Sequence, residues 1–296
     1  MERSRHDERL TESGTSLAED LSLFAQEVAA AAAAMIMTWF GKDLRIEHKS
    51  ATDLVTEADT SSERFIINRI RDRFPDHQIL SEESEPLPGS SPVRWLIDPL
   101  DGTTNFAHRM PIFCVSIAAE VSGTIIAGAV VAPALGESFS AFLGGGAKLN
   151  GHFIHVSNTD SMLQSLIATG FPYDLATDPD NNLDHFVNIR PLCQGIRRCG
   201  AASWDLCSVA CGRLDGYWEA KLKPWDVAAG MIIVKEAGGA ISGFRGQPTT
   251  PYQRQIVATN GKIQQQLLRG LALGHTLMSV DCSAALRTND PPTATQ

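Results

Sequence analysis

The pattern of apolar and polar residues predicts helices and strands that occur in separate blocks. Apolar residues recur at helical spacing over residues 17–39 and 60–74, which Gly41 and Pro75 bring to an end. Further helices are predicted over residues 181–193, 204–212, 225–237 and 261–271, and strands over 78–80, 95–97, 113–120, 124–132, 138–143, 165–169 and 217–219. Because helices and strands do not alternate regularly, we expect a layered α+β sandwich.

The strands predicted between residues 113 and 143 follow one another directly, with glycine and proline at the turns, and so indicate an antiparallel meander. The triplet Gly144-Gly145-Gly146 after them resembles a phosphate-binding loop only in composition. No Lys-Ser/Thr pair and no predicted helix follow it, so we expect a hairpin turn there.

The length of 296 residues allows a large core, built as one domain or as two coupled halves. We divide the folded part into an N-terminal α+β half, residues 16–160, and a C-terminal α/β half, residues 161–272. Residues 1–15 are polar without an apolar period and predict a disordered leader. Residues 273–296 end in a Pro/Thr-rich stretch and predict a flexible tail.

The composition is that of a soluble globular protein, with 43% hydrophobic and 20% charged residues. The formal net charge of −9 argues against a nucleic-acid partner, whose binding surfaces are normally basic. The six cysteines, at positions 114, 193, 199, 207, 211 and 282, include no C-x-x-C pair and predict reduced thiols. The apolar run Val28–Met37 is too short to span a bilayer and follows acidic residues, so we expect a cytoplasmic protein without a membrane partner.

The segment from Trp95 to Thr104 carries the strongest chemical signal in the chain. A buried-strand pattern ends in Asp98 and Asp101, and a Gly-Thr-Thr turn follows at once. Two carboxylates so close together repel and raise each other's pKa unless a cation lies between them. Carboxylate oxygens suit Mg²⁺, and the free amides of the turn, if they begin a helix, suit an anion. The segment therefore indicates a divalent metal together with a phosphate.

Other acidic residues lie at predicted element boundaries, namely Asp59, Glu82, Glu83 and Asp226. Taken singly, Asp59 and Asp226 are better explained as helix N-caps, and the Glu pair as part of a solvated loop. Taken together, they occupy the strand ends and helix starts where α/β-type sheets place their sites. The Asp-x-x-Asp spacing differs from the Asp-x-Asp of haloacid-dehalogenase phosphatases, which disfavours a covalent aspartyl phosphate.

These motifs, in this order, resemble the inositol monophosphatases and their magnesium-dependent, lithium-sensitive relatives. The matching segments are Lys49–Asp59, Ile79–Ser84, Trp95–Phe106, Ala168–Asp174, Gly200–Ala202, Asp215–Glu219 and Lys223–Gly230. The resemblance extends from about Leu17 to Leu268. It implies an αβαβα sandwich of the inositol monophosphatase and fructose-1,6-bisphosphatase type, usually a homodimer. Ser81 and Ala201 depart from the residues common in relatives, and the second departure affects the expected specificity.

The resemblance also implies a role for each matching residue. The ligands of two or three Mg²⁺ ions would be Glu82, Asp98, the Leu100 carbonyl, Asp101 and Asp226. The catalytic group would be Thr103 with Asp59 behind it, acting with Glu82 on the attacking water. The substrate would contact Asp101, Gly102, Thr103, Gly200, Ala201, Ala202, Glu219 and Asp226. Glu83 and Lys49 would lie near the metals. If its acidic neighbours are ignored, Thr103 is as consistent with a helix-cap hydroxyl as with a catalytic group.

The expected reaction is the magnesium-dependent hydrolysis of a small polyol phosphate monoester, with inositol 1-phosphate first among the candidates. Within the same fold the alternatives are histidinol phosphate, a 3′-phosphoadenosine nucleotide, a sugar phosphate such as fructose bisphosphate, and NADP. An alternative of another class is a regulatory protein-binding role in which phosphatase activity is secondary.

Overall fold

The computed structural model describes residues 16–42, 46–48 and 54–273, with the segment 46–48 described by its backbone alone. The predicted leader, Lys49, Cys282 and the predicted tail beyond residue 273 lie outside the described residues. Everything below concerns the described ranges.

Along the described chain, helices occur both between strands of one sheet and between strands that belong to different sheets. They are α1 (Leu17–Met37), α2 (Glu57–Arg73), α3 (Thr103–Ala107), α4 (Leu183–Ile189), α5 (Ala202–Ala210), α6 (Pro224–Glu236) and α7 (Gln264–Leu271). Short 3-10 turns occur at Pro133–Leu135, Met162–Gln164 and Arg190–Leu192.

The strands form a two-stranded ribbon and two larger sheets. The ribbon pairs β1 (Ile46–His48) with β2 (Leu54–Thr56). The seven-stranded sheet runs in the order β3 (Gln78–Ser81), β4 (Val93–Asp101), β5 (Cys114–Val121), β6 (Thr124–Ala132), β7 (Glu137–Phe142), β8 (Gly146–Leu149) and β9 (His152–Phe153). The five-stranded sheet runs in the order β11 (Gly195–Arg197), β10 (Leu166–Thr169), β12 (Gly216–Ala220), β14 (Gln255–Thr259) and β13 (Ala240–Ser242).

The two large sheets and the helices stack as five layers, which confirms the predicted α+β sandwich. Helices α1 and α2 pack on one face of the seven-stranded sheet, and α5 and α6 fill the space between the sheets. Helices α4 and α7 cover the outer face of the five-stranded sheet. The meander β5–β6–β7 is antiparallel as predicted, and the glycine triplet begins at the hairpin turn before β8. The division into halves at residue 160 stays a prediction.

Helix α1 is long and apolar enough, by length and composition alone, to cross a membrane. Half of its apolar window is buried inside the protein. Its buried side includes Leu21, Phe24 and Val28, which belong to the core over the seven-stranded sheet. The helix therefore serves as a core element here, with Ser16 accepting a hydrogen bond from the Glu19 amide as its N-cap.

The boundaries of several predicted helices were wrong. Helix α2 begins at Glu57 instead of residue 60, because Thr56 caps it. The helix predicted over 181–193 ends at Ile189, and the chain continues as a 3-10 turn that contains Pro191, which has no amide hydrogen to donate. The last helix begins at Gln264 instead of residue 261. Sequence patterns missed the short strands β1, β2, β8, β9, β11, β13 and β14.

The described cysteines contain no disulfide, in agreement with the prediction of reduced thiols. Cys114, Cys193 and Cys207 are buried, whereas Cys199 and Cys211 are partly exposed. Trp218 and Trp204 are both buried in the core.

Helices α5 and α6 approach each other closely at Gly230. A Cβ atom added to Gly230 would lie 2.5 Å from the Leu206 Cβ and 2.6 Å from its Cδ1. The first of these atoms is fixed to the α5 backbone and cannot rotate away. The close approach brings α6, which carries Asp226, against α5.

We predict that Gly230→Ala destabilises the protein although alanine favours helix. Overpacking at a tight contact costs about 1–3 kcal/mol, which outweighs the gain of about 1 kcal/mol from helix propensity. Gly270→Ala in α7 is the matched control, because its neighbours at 3.2 and 3.3 Å are the side-chain atoms Ile189 Cγ1 and Leu192 Cδ1. Urea unfolding should show a loss for the first variant and little change or a gain for the second. Equal stability of Gly230→Ala and the parent would contradict the close helix contact.

Candidate active site

The end of β4 presents two aspartates from an irregular stretch of the strand. Asp98 pairs with Ser116 of β5 and Asp101 pairs with Cys114, so the register shifts between them. The Leu100 amide donates to Asp98 Oδ1 at 3.0 Å. The two aspartates thus lie within the final residues of the strand, which extends beyond the predicted residues 95–97 to Asp101. The bulge gives both carboxylates access to one cavity.

Gly102 connects the strand to α3 through a left-handed conformation, with φ of 92°. A Cβ atom there would meet the Ile112 carbonyl oxygen at 3.0 Å and the Ala201 Cβ at 3.3 Å. Both the conformation and the lack of space require glycine. The turn begins the short helix Thr103–Ala107, which the sequence pattern had left open.

Thr103 and Asp59 form a hydrogen-bonded pair across two distant segments. The Thr103 hydroxyl lies 2.9 Å from Asp59 Oδ1 and 3.1 Å from the Leu100 carbonyl oxygen. Asp59 Oδ2 accepts from the Thr56 amide and hydroxyl at 2.8 and 2.6 Å. Asp59 is therefore the third residue of α2, part of a capping box, and not its N-cap.

Burial raises the pKa of the Asp59 carboxyl to about 6. The hydrogen bonds from Thr56 and Thr103 oppose this shift, and the nearby charge of Glu82 adds to it. Asp59 can consequently change its protonation state close to neutral pH, which suits a group that exchanges protons.

Asp226 occupies the third position of α6, and Lys223 is the N-cap. Its Oδ2 accepts from the Lys223 amide at 2.7 Å. Ser203 at the start of α5 links Asp226 to Asp101 at the end of β4. The Ser203 hydroxyl donates to the Asp226 carbonyl at 2.8 Å, and the Ser203 amide donates to Asp101 Oδ2 at 2.7 Å. A single serine therefore joins two of the predicted ligands.

The predicted site residues come together around one cavity of about 600 Å³. Those that line it are Glu82, Asp98, Leu100, Asp101, Gly102, Thr103, Gly200, Ala201, Ala202, Glu219 and Asp226. Asp59 lies behind Thr103 and is completely buried. The convergence of residues from β4, α5, β12 and α6 makes this cavity the candidate active site.

The carboxylates of the cavity act on one another electrostatically. Burial raises the pKa of Asp98 well above its usual range, and the charges of Glu82, Asp101 and Asp226 raise it further. Burial likewise raises the pKa of Asp226 well above its usual range. Burial raises that of Asp101 to about 7, against the bond from the Ser203 amide. Such an arrangement is unfavourable without a counter-charge, since each carboxylate opposes the ionisation of the others.

The donor set fits Mg²⁺, which binds hard oxygen ligands. In the described part of the chain, no group of three His, Cys, Asp or Glu side chains could hold a metal ion unaided. Mg²⁺ sites usually use one or two carboxylates and fill the other positions with water and phosphate oxygens. Separate carboxylates around an open cavity, together with the Leu100 carbonyl, meet that requirement.

Glu219 of β12 also lines the cavity. The Tyr217 hydroxyl donates to its carboxylate, and burial raises the pKa of Glu219 to about 7. Sequence reasoning missed Asp205 of α5, which also lines the cavity and is only 2% exposed. Burial raises the pKa of Asp205, and the Cys199 thiol forms a hydrogen bond with its carboxylate. Its position one helical turn after Ala201 was the available signal.

The loop after β10 forms one wall of the cavity and is tied to β12 by a lysine. Lys221 donates to Asp174 at 2.9 Å and to Asp178 at 2.6 Å, although its side chain is only 6% exposed. No local pattern pairs these residues, because they lie more than 40 positions apart along the chain.

Comparison with known proteins connects this cavity with an enzyme family. The family model described as "Inositol monophosphatase family" matches residues 17–274. The chain is 48% identical over 250 residues to an inositol-1-monophosphatase of Synechocystis sp., covering 84% of this chain and 87% of the relative. It is 42% identical over 227 residues to a protein of Pasteurella multocida named Nus factor SuhB, covering 76% and 85% of the two chains.

A solved structure agrees with these sequence relationships. The inositol monophosphatase of Anabaena (Nostoc) sp. superposes with a TM-score of 0.79 at 42% identity, covering 86% of this chain and 96% of that one. The chain accordingly belongs to the inositol monophosphatase family and is a phosphoric monoester hydrolase.

Proposed function

We propose that this enzyme hydrolyses a small polyol phosphate monoester in a magnesium-dependent reaction, with inositol 1-phosphate as the leading substrate. The observation that carries the proposal is the convergence of Glu82, Asp98, Asp101 and Asp226 on one cavity beside the Thr103–Asp59 pair. A cavity of about 600 Å³ is of the size that small-molecule sites have.

The residues that would hold the metal are Glu82, Asp98, the Leu100 carbonyl, Asp101 and Asp226. When bound, Mg²⁺ would polarise the phosphoryl oxygens, lower the pKa of a bound water and neutralise charge on the leaving oxygen. The β4 bulge sets the spacing of Asp98 and Asp101, and the hydrogen bonds of Ser203 connect Asp101 with Asp226.

Thr103 and Asp59 would position the attacking water and accept its proton. The Thr103 hydroxyl is too weak a base to act alone, but Asp59 stands 2.9 Å behind it as the acceptor. The buried position of Asp59 keeps bulk water from competing for its oxygens. The backbone amides of Gly102 and Thr103, at the start of α3, would bind the phosphate.

The alcohol part of the substrate would lie toward Gly200, Ala201, Ala202 and Glu219, which line the same cavity. Asp101 and Asp226 line the same cavity and would reach both the metal and the substrate hydroxyls. Turnover of inositol 1-phosphate, histidinol phosphate and a sugar bisphosphate, compared as kcat/KM, tests this choice. A far higher value for histidinol phosphate would overturn it.

A second candidate function is favoured by a specific observation, because relatives at about 40% identity bear the name Nus factor SuhB. A regulatory protein-binding role would use another surface than the cavity. Asp98→Asn separates the two functions: loss of turnover with an unchanged cellular phenotype would support the regulatory role. A homodimer in the cytoplasm is a further part of the proposal.

We predict that Asp226→Asn lowers kcat by on the order of 100-fold or more, since a metal's charge stabilisation is worth several kcal/mol. The asparagine oxygen can still accept from the Lys223 amide and one repelling carboxylate is lost, so the free energy of unfolding of the metal-free protein should not decrease. Steady-state kinetics and urea unfolding measure the two effects. An unchanged kcat would show that Asp226 only caps α6.

We predict that EDTA abolishes turnover, that added Mg²⁺ restores it, and that Li⁺ inhibits the restored enzyme at high substrate concentration. The physical reason is that the clustered carboxylates have no catalytic use without a cation between them. Full activity in EDTA, after verified removal of bound metal, would refute the magnesium assignment.

We predict that kcat at saturating Mg²⁺ falls at acid pH, because protonated Asp59 cannot accept a proton from Thr103. The pKa of about 6 belongs to the metal-free site and bound Mg²⁺ would lower it, so the acid limb should lie below pH 6. The substrate phosphate also titrates in this range, so a control is needed. Thr56→Val removes a hydrogen bond that lowers the pKa of Asp59 and should move the acid limb to higher pH. A limb that stays in place in Thr56→Val would belong to another group.

A further inference from the structure

The first turns of α2 contact the segments that carry the candidate metal ligands. Ser62 and Glu63 are buried, with exposed fractions of 0% and 6%, and the proposed chemistry gives neither a role. Buried polar side chains are normally hydrogen-bonded, so the partners of Ser62 and Glu63 indicate which segments these residues hold in place. Their partners are backbone groups next to the acidic residues.

Ser62 binds the irregular part of β4. Its hydroxyl donates to the Pro99 carbonyl oxygen at 2.8 Å. Pro99 lies between Asp98 and Asp101, where the register with β5 shifts. A bulge of this kind takes its backbone groups out of the regular ladder, so an outside donor is needed to fix its conformation. The Ser62 bond supplies that donor from α2.

Glu63 binds the loop after β3. Its Oε1 accepts from the Glu83 amide at 3.0 Å. Glu83 follows Glu82 directly, so this bond fixes the backbone that carries the Glu82 side chain. A carboxylate that accepts from an amide forms a stronger hydrogen bond than a neutral acceptor does.

Asp59 completes the pattern one turn earlier on the same helix. Residues 59, 62 and 63 have the i, i+3 and i+4 spacing that places side chains on one helix face. Asp59 contacts Thr103, Ser62 contacts Pro99 and Glu63 contacts Glu83. Three segments of the cavity are therefore held by one face of α2.

We propose that Ser62 and Glu63 are positioning residues that hold the β4 bulge and the Glu82 loop together against the repulsion of their carboxylates. They thereby set the affinity of the cavity for a divalent cation. This inference rests on the proposed function, in which those carboxylates are ligands. Groups that orient metal ligands in this way typically change metal affinity or activity by 10–100-fold when they are removed.

The test uses titration calorimetry of the metal-free full chain with Mg²⁺. Glu63→Met keeps the length of the side chain but removes the acceptor, and its Kd for Mg²⁺ should rise by about 10-fold or more. Glu63→Gln keeps an acceptor oxygen for the Glu83 amide, and its Kd should stay within roughly threefold of the parent value. Ser62→Ala should weaken binding as Glu63→Met does.

Ser22→Ala is the matched control for Ser62→Ala. Ser22 is also buried, and its hydroxyl donates to a backbone carbonyl, that of Ala141. It lies in α1, far from the cavity residues in sequence. It should lower the melting temperature without changing the Kd for Mg²⁺. In turnover assays, only the α2 variants should need more Mg²⁺ for half-maximal rate.

The possible outcomes separate the inference from the proposed function. A parent protein that binds no Mg²⁺ would refute the metal assignment and the inference with it. A parent that binds Mg²⁺, with Glu63→Met and Ser62→Ala of unchanged Kd, would overturn the inference alone. If Glu63→Met does not fold, the comparison of Ser62→Ala with Ser22→Ala decides the question.

Discussion

The mutual repulsion of buried carboxylates is the constraint on which the rest of this structure depends. Burial and the neighbouring acids raise the pKa of Asp98 and Asp226 well above the usual range. A fold that places such groups together loses stability in the absence of a cation, because each ionised group opposes the next. That cost indicates a functional cluster, since clefts with strongly shifted carboxyl groups are where catalytic sites are found.

The surrounding elements keep the acids from moving apart. Ser203 links the backbone of Asp226 to the side chain of Asp101, and so joins α6 to the end of β4. The close contact of α5 and α6 at Gly230 holds that connection against the sheet. On the other side, α2 contacts Thr103 through Asp59. The site is therefore fixed from both of its sides by ordinary hydrogen bonds and packing.

The family relationship and the geometry support different parts of the conclusion. Membership of the inositol monophosphatase family makes the chain a phosphoric monoester hydrolase. The cavity adds the set of residues around it, in which the clustered acids occur together with Glu219 and Asp205. Relatives that bear a different name, Nus factor SuhB, are nearly as similar in sequence, so the residues of the cavity alone do not define every role of the fold.

The sequence by itself determined the layered α+β class, the meander, the central helices and the order of the acidic motifs, because these follow from local periodicity and from short, distinctive strings such as Asp98 to Thr103. The family resemblance already implied that Asp59 and Thr103 form a pair, and only the tertiary structure decided that Asp205 lines the cavity and that Ser62 and Glu63 bind the segments carrying the acids. Apolar periodicity did not locate helix ends such as the start of α2 at Glu57, because the hydrogen bonds of a capping residue determine where the helix begins. Long-range hydrogen bonds leave no local pattern in a sequence, since their partners meet only when distant elements pack.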